Sequence, residues 1–404
     1  MMRSLFSGLA GMRTQQQSMD VIGNNIANVN TTGYKAARVN FEDLLYQSMR
    51  TVTGAVNPMQ VGGGVRVGSI DTLYGQGSPN PTGNLMDVTI IGRGFIVLNQ
   101  NDSQVYTRSG NLSFDQDGYL FHTSTGLRVM GWNANVNGQI RPGTDLVELR
   151  AKPGERVAAK ASTGVSFAGV LDARLPIDSV VQRDFTVIDA LGQSRSITIE
   201  FTRTSASEWT WSLVNPSAGS FAGPADGQLV FGADGTLSSG GTLPAMELTF
   251  ADGITPDLQF TLDFSSCLLT GGDTNLAGAQ TGGVAAGALS EVQIDEKGYL
   301  IGIFSNGVTR NLGQIALATF ANEGGLERAG GSLFKATTSS GNADTSRAPG
   351  DERGTFSPGS LEMSNVDLTQ EFASMILSQR AFQANSRVVT TTDELLQEVV
   401  NLRR

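Results

Sequence analysis

Leu5-Phe6-Ser7-Gly8-Leu9-Ala10-Gly11-Met12 begins a run whose apolar residues recur at alternating spacings of four and three. Positions 5, 9, 12, 16, 19, 23 and 26 hold Leu5, Leu9, Met12, Gln16, Met19, Gly23 and Ile26, so five of seven are apolar. This is the period of an amphipathic helix with a heptad-like seam. The other end of the chain repeats it: from Leu368 the same spacing passes through Phe372, Met375, Gln379, Phe382, Ser386, Val389, Asp393, Leu396 and Val400. Asn365 or Asp367 can cap this second helix, and neither proline nor glycine interrupts it before Arg404. It would be about 55 Å long, more than one domain can cover, and so calls for a partner helix. Residues 1–35 carry three basic and one acidic side chain, residues 361–404 four basic and six acidic, which makes the N-terminal helix the candidate partner.

Between the ends the period changes to two. Val88-Thr89-Ile90-Ile91, Phe95-Ile96-Val97-Leu98, Phe185-Thr186-Val187-Ile188, Ser196 to Phe201 and Ile315 to Phe320 are short apolar or alternating runs separated by turn residues. The middle is therefore predicted to be all β. A small pattern recurs in Phe114 to Leu120, Phe231 to Leu237 and Ile294 to Leu300. Each predicts a hairpin with a glycine at positive φ and an aspartate bonding the turn backbone. Gln60 to Val65 predicts an extended connector, and composition shifts near Arg141 and Thr270 mark further boundaries.

The chain has 404 residues, 50 of them glycine, with one histidine, one cysteine and a net charge of −10. His122 and Cys267 cannot supply a multi-histidine metal centre, Cys-rich zinc ligation or an intrachain disulfide. The acidic balance excludes a general nucleic-acid binder, and residues 145–284, with 16 acidic and 8 basic side chains, carry most of it. No apolar run suits a cleaved signal peptide or a membrane span.

Catalytic patterns are incomplete. His122 lacks a Gly-x-Ser-x-Gly elbow and reads as a half-exposed strand residue, while Cys267 reads as a small buried group. Gly92-Arg93-Gly94 has Val97 where a dinucleotide loop needs its third glycine. Glu42-Asp43 and Asp393-Glu394 read as solvated helix residues, and Asp115 with Asp117 is too sparse for a calcium loop. No catalytic residue, cofactor or metal site is assigned.

Three segments carry a resemblance. Leu5 to Met12, continued by Met19-Asp20-Val21-Ile22-Gly23-Asn24-Asn25-Ile26-Ala27-Asn28-Val29-Asn30-Thr31-Thr32-Gly33-Tyr34-Lys35, resembles the N-terminal signature of bacterial flagellar rod and hook proteins. Ile91 to Val97 and Tyr106 to Phe114, running on to Gly131-Trp132, look like the shared β domain of these axial proteins. Asn365-Val366-Asp367-Leu368, Gln379 to Arg387 and Thr391 to Leu396 are similar to their C-terminal helix. Length favours the hook members over the shorter distal rod members.

The resemblance implies a nested, mainly β architecture with paired terminal helices. Residues 1–35 and 361–404 would form an inner helical polymerisation domain, and 36–70 with 355–360 a connector. Residues 71–144 with 285–354 would form a first β domain, and 145–284 an inserted outer one. It further implies a homopolymer that forms a flexible tube, extracellular and exported by a flagellar type III apparatus without a cleaved signal peptide. Rod, hook cap and hook–filament junction proteins would be its neighbours; nucleic acid and membrane insertion are not expected. The expected polymerisation residues are Leu5, Leu9, Met12, Met19, Ile22, Ile26, Leu368, Phe372, Met375, Phe382, Val389, Leu396 and Val400. The motif residues are Asn24, Asn25, Asn28, Asn30, Gly33, Tyr34, Gln379, Arg380 and Asn385. A rival of another class, a secreted β-rich glycan-binding adhesin, would use Trp132, Trp209 and Trp211.

Overall fold

The computed structural model describes residues 2–50, 59–101, 103–135, 137–141, 145–214, 219–250, 254–348 and 353–401. A long helix stands at each end, α1 (Met2–Ala27) and α2 (Leu368–Asn401), and the described residues between them are β-strands, turns and one short 3-10 turn. The chain divides into two compact units, residues 1–153, 292–302 and 310–404 in one and 154–291 with 303–309 in the other.

In the first unit α1 and α2 pack antiparallel: Ser4 meets Thr392, Ser18 meets Ser378 and Asn25 meets Glu371. Asp367 caps α2, its Oδ1 accepting from the amides of Thr369 and Gln370 at 2.8 and 3.3 Å. Asn365, the other candidate cap, has a different task described below. After α1 the chain runs through strand Ala37–Asp43, paired antiparallel with Val65–Thr72, and Tyr46–Arg50, paired with Met59–Gly62. Glu42 and Asp43 thus lie in a strand, not on the expected helix, because Val39 and Phe41 alternate with polar residues at period two.

Entry to and exit from the β body run side by side, Pro79–Pro81 pairing with Ser360–Glu362 and Val88–Ile91 with Thr355–Pro358. Within the body, Phe95–Gln100 pairs with Ser103–Thr107 on one side and Arg128–Asn133 on the other. Phe95, Val97, Tyr106, Trp132, Phe320 and Phe334 form its core, and the Phe95 ring contacts Tyr74, Phe320 and Phe334 edge-on.

The second unit holds two five-stranded sheets. One is an antiparallel meander from Val180–Ile188 to Leu237–Ser239; the other places Gly164–Asp172 parallel to Leu258–Thr270 at its centre. Phe167, Phe185, Phe201, Trp209, Trp211 and Phe264 share a single buried core with Cys267. Trp132, Trp209 and Trp211 are all buried, so none offers an aromatic face to a sugar.

The three hairpin turns follow one plan. Gly118, Gly235 and Gly298 have φ of 81°, 79° and 73°, and Asp115, Asp234 and Asp295 accept amide hydrogens from Tyr119, Thr236 and Tyr299.

Candidate assembly site at the terminal helices

The face that joins α1 to α2 is made of small and polar residues. Going along α1, Ser4, Gly11, Ser18 and Asn25 recur every seven residues, and opposite them going back along α2 lie Thr392, Asn385, Ser378 and Glu371. A Cβ on Gly11 would lie 2.7 Å from Asn385 Nδ2, and one on Gly8 3.2 Å from Val389 Cγ2, so these glycines permit the close approach. The period expected from sequence is present, but the packed face of α1 is displaced by one residue from Leu5, Leu9, Met12, Met19 and Ile26. One residue is about 100° of helix, enough to move those side chains from the contact to its flank.

The expected polymerisation residues accordingly stay partly or wholly uncovered. Leu5, Met12, Met19, Ile26, Met375, Phe382, Val389 and Leu396 are half-buried, and Leu9, Leu368, Phe372 and Val400 are exposed; only Ile22 is buried. Further large apolar residues join them that the spacing did not mark: Phe6 is 58% exposed, Leu377 70%, and Ile376, Val388, Leu395 and Val399 are exposed as well. An open groove of about 460 Å³ lies where the helix pair meets strand Ala37–Asp43, lined by Ile22, Ala36, Leu73, Leu377 and Ala381 among others.

Below α1 the motif loop fastens the helices to the β body. Asn25 Nδ2 donates to Ala37 O (2.8 Å) and Glu371 Oε1 (2.9 Å), while its Oδ1 accepts from the Ala37 amide and the Tyr34 hydroxyl. Burial raises the Glu371 pKa, an effect the Asn25 hydrogen bond opposes. Asn28 Nδ2 donates to Asn24 Oδ1 and Asn24 O, closing the helix end, and Asn28 Oδ1 accepts from Thr31. Asn365 bridges the incoming and outgoing chain: its Oδ1 accepts from the Ala36 amide, and its Nδ2 donates to the carbonyls of Leu73 and Gly75. Arg328 lies 5.2 Å from the Tyr34 ring centroid and donates to Lys35 O. Asn30 is exposed, and Gln379 and Arg380 are exposed on α2 away from this loop.

At the centre of the fastening is a buried group of charges. Lys35 Nζ donates to Glu362 Oε1 at 2.6 Å and to Gly75 O at 2.9 Å; both charged side chains are wholly buried. Glu362 Oε1 also accepts from the Gly77 amide, and its Oε2 lies 3.9 Å from Arg108 Nη1. The Arg108 guanidinium rests 5.2 Å from the Phe95 ring centroid. Burial lowers the pKa of both Lys35 and Arg108, and Glu362 opposes the shift in each. Gly33, at φ 67°, donates its amide to Glu362 O at 2.8 Å, and a Cβ there would lie 2.7 Å from the Ser109 amide nitrogen. Sequence reasoning singled out Gly33 but not Glu362 or Arg108. Lysine at the end of a Gly-Tyr-Lys motif signals a partner without naming one.

The residues considered for chemistry are committed elsewhere. His122 is fully buried rather than half-exposed, because its strand faces the core; Nδ1 lies 2.8 Å from Thr125 Oγ1, and burial depresses its pKa to about 4. The Cys267 thiol contacts Phe167 O, and burial pushes its pKa up to about 12, so it is not a ready nucleophile.

Three family profiles match the chain: residues 6–35 fit the flagella basal body rod protein family, 89–153 the flagellar hook protein FlgE/F/G D1 domain and 357–402 the flagellar basal body rod FlgEFG protein C-terminal region. The flagellar hook protein FlgE of Treponema pallidum is 36% identical and that of Borreliella burgdorferi 34%, each over 100% of both chains. The flagellar basal-body rod protein FlgG of Bacillus subtilis is 29% identical, again over 100% of both. With the N-terminal motif, the D1-type β segment and the C-terminal helix all matched, and full-length similarity to the hook proteins above 30%, the chain belongs to the flagellar hook protein family.

Proposed function

We propose that the chain is the structural subunit of a bacterial flagellar hook, polymerising through α1 and α2 into a curved, bendable tube that joins the basal-body rod to the filament and passes torque between them. The observation that carries this is the inversion at the helix pair: small and polar residues join the two helices, while Phe6, Phe372, Ile376, Leu377 and Leu395 are left exposed. A monomer gains nothing from such a surface, whereas burying one of these side chains between subunits stabilises an assembly by about 1.5–3 kcal/mol.

The rod, the hook cap and the hook–filament junction proteins are the partners that this role requires, at the two ends of the tube. Export through the flagellar type III apparatus, without a cleaved signal peptide, would deliver the chain outside the cell. Neither a cofactor nor catalysis has a place in the role. Polar, glycine-rich strands between subunits would give wet contacts that break and re-form as the tube bends.

Electron microscopy of the purified full chain after concentration tests the proposal. Curved tubes are the expected result. Straight tubes would move the assignment to a distal rod subunit, and a chain that stays monomeric at high concentration while binding glycans would move it to an adhesin.

A further inference from the structure

On the side of each helix turned away from the seam, a cation is followed seven residues later by an anion, and on α2 a second cation, Arg380, stands seven residues before that pair. Arg13 and Asp20 each lie two positions beyond a seam residue of α1, Gly11 and Ser18, and Arg387 and Glu394 lie two positions beyond Asn385 and Thr392 of α2. Two positions are about 200° of helix, so all four point away from the partner helix. All four are exposed, and among the described residues no hydrogen bond or ion pair engages their side chains.

The order of charges makes the two outward faces complementary when antiparallel. Along α1 the cation precedes the anion, and along α2 the cation again precedes the anion, so reversing one helix sets Arg13 against Glu394 and Asp20 against Arg387 together. Within the chain the seam places Gly11 opposite Asn385, which puts Arg13 level with residue 383. The complementary register is displaced from this by eleven residues, about 16 Å along the helix.

We propose that the outward face of α1 docks on the outward face of α2 of a second copy, antiparallel, with Arg13 paired to Glu394 and Asp20 to Arg387. This rests on the assembly reading above and specifies its contact. Because the two faces differ, the contact is heterologous and repeats without closing on itself unless the rotation allows it, as a tube requires. Identical subunits pointing the same way necessarily present α1 and α2 to each other antiparallel.

Charge exchange tests the pairing in the full chain. The double variant Arg13→Asp/Asp20→Arg is expected to raise the critical concentration for tube formation about tenfold or more, because each pair becomes a like-charge contact. Adding Arg387→Glu/Glu394→Arg should restore wild-type tubes. Circular dichroism of each monomer checks that the β content is unchanged. If the α1 double variant assembles as well as wild type, the contact is α1 on α1 or involves neither face, and the proposal is overturned. It is equally overturned if the fourfold variant is folded but does not regain assembly. Failure of the wild-type chain to form tubes would instead remove the assembly reading itself.

Discussion

Replacing Glu362 by Gln should be among the most destabilising changes available at a residue that touches no outer surface. The carboxylate is wholly buried and is the anion closest to two buried cations, Lys35 at 2.6 Å and Arg108 at 3.9 Å. An amide keeps one acceptor for Lys35 and Gly77 but leaves both positive charges uncompensated. Removing one partner of a buried pair costs about 3–5 kcal/mol. For a unit of this size that is roughly 6–20 °C in melting temperature. Lys35→Met should cost less, about 1–3 kcal/mol, because Glu362 then keeps the Gly77 amide and the Arg108 charge. The double variant leaves Arg108 alone and should fall between the sum of the two and the larger of them, a coupling of about 2 kcal/mol. Thermal unfolding followed by circular dichroism gives the ordering, and hydrogen exchange localises it. The Gly77 amide, which donates to the Glu362 side chain, should lose protection before the Gly33 amide, which donates to the Glu362 backbone. A Glu362→Gln variant losing less than about 1 kcal/mol, or one more stable than Lys35→Met, would refute the view of Glu362 as the shared counter-charge.

Acid should weaken the first unit through His122. Its folded pKa of about 4 lies below the ordinary 6.5, so the unfolded chain takes up the proton first and stability falls as pH drops from about 6.5 to about 4, by about 3 kcal/mol in all. His122→Gln should flatten that slope relative to wild type in thermal melts across this range; parallel curves would count against it. Gly33→Ala should cost about 2 kcal/mol or more by urea unfolding, since the left-handed backbone and the Ser109 amide both oppose a Cβ. Leu377→Asp, at an exposed site, should leave monomer stability within about 0.5 kcal/mol of wild type yet suppress tube formation in sedimentation assays. Tubes of normal yield would remove Leu377 from the assembly surface.

Both helices were legible because their period is long and regular, and so were the three Asp- and Gly-bearing hairpin turns, whose chemistry is local. The phase of the helical seam was not. Assigning the packed face to Leu5, Leu9 and Met12 follows the general rule that apolar residues face a partner, but inside this chain the partner is met by Ser4, Gly8, Gly11 and Ser18. Close approach of two backbones rewards small side chains, a preference that hydrophobic spacing does not register. The charged cluster was hidden for another reason. Lys35 and Glu362 are 327 residues apart, and nothing local to either names the other or Arg108. Burial of His122 depended likewise on distant strands, since the short run Leu120-Phe121-His122 alternates in either phase.

Separation along the chain has a consequence in time as well. Ser4 and Thr392 are 388 residues apart and Asn25 and Glu371 are 346. Synthesis at about 5–20 residues per second therefore leaves α1 without α2 for roughly 20 seconds to a minute or more. Throughout that interval its 26 residues are a helix of marginal stability, supported by the nearby strands Ala37–Asp43 and Val65–Thr72 but lacking its antiparallel partner helix. The β segments can close their own local hairpins in microseconds, so they complete first. Clasping of the two ends is thus a late step in the life of each new molecule, and any factor that captures an unclasped N-terminus is given a start measured in tens of seconds.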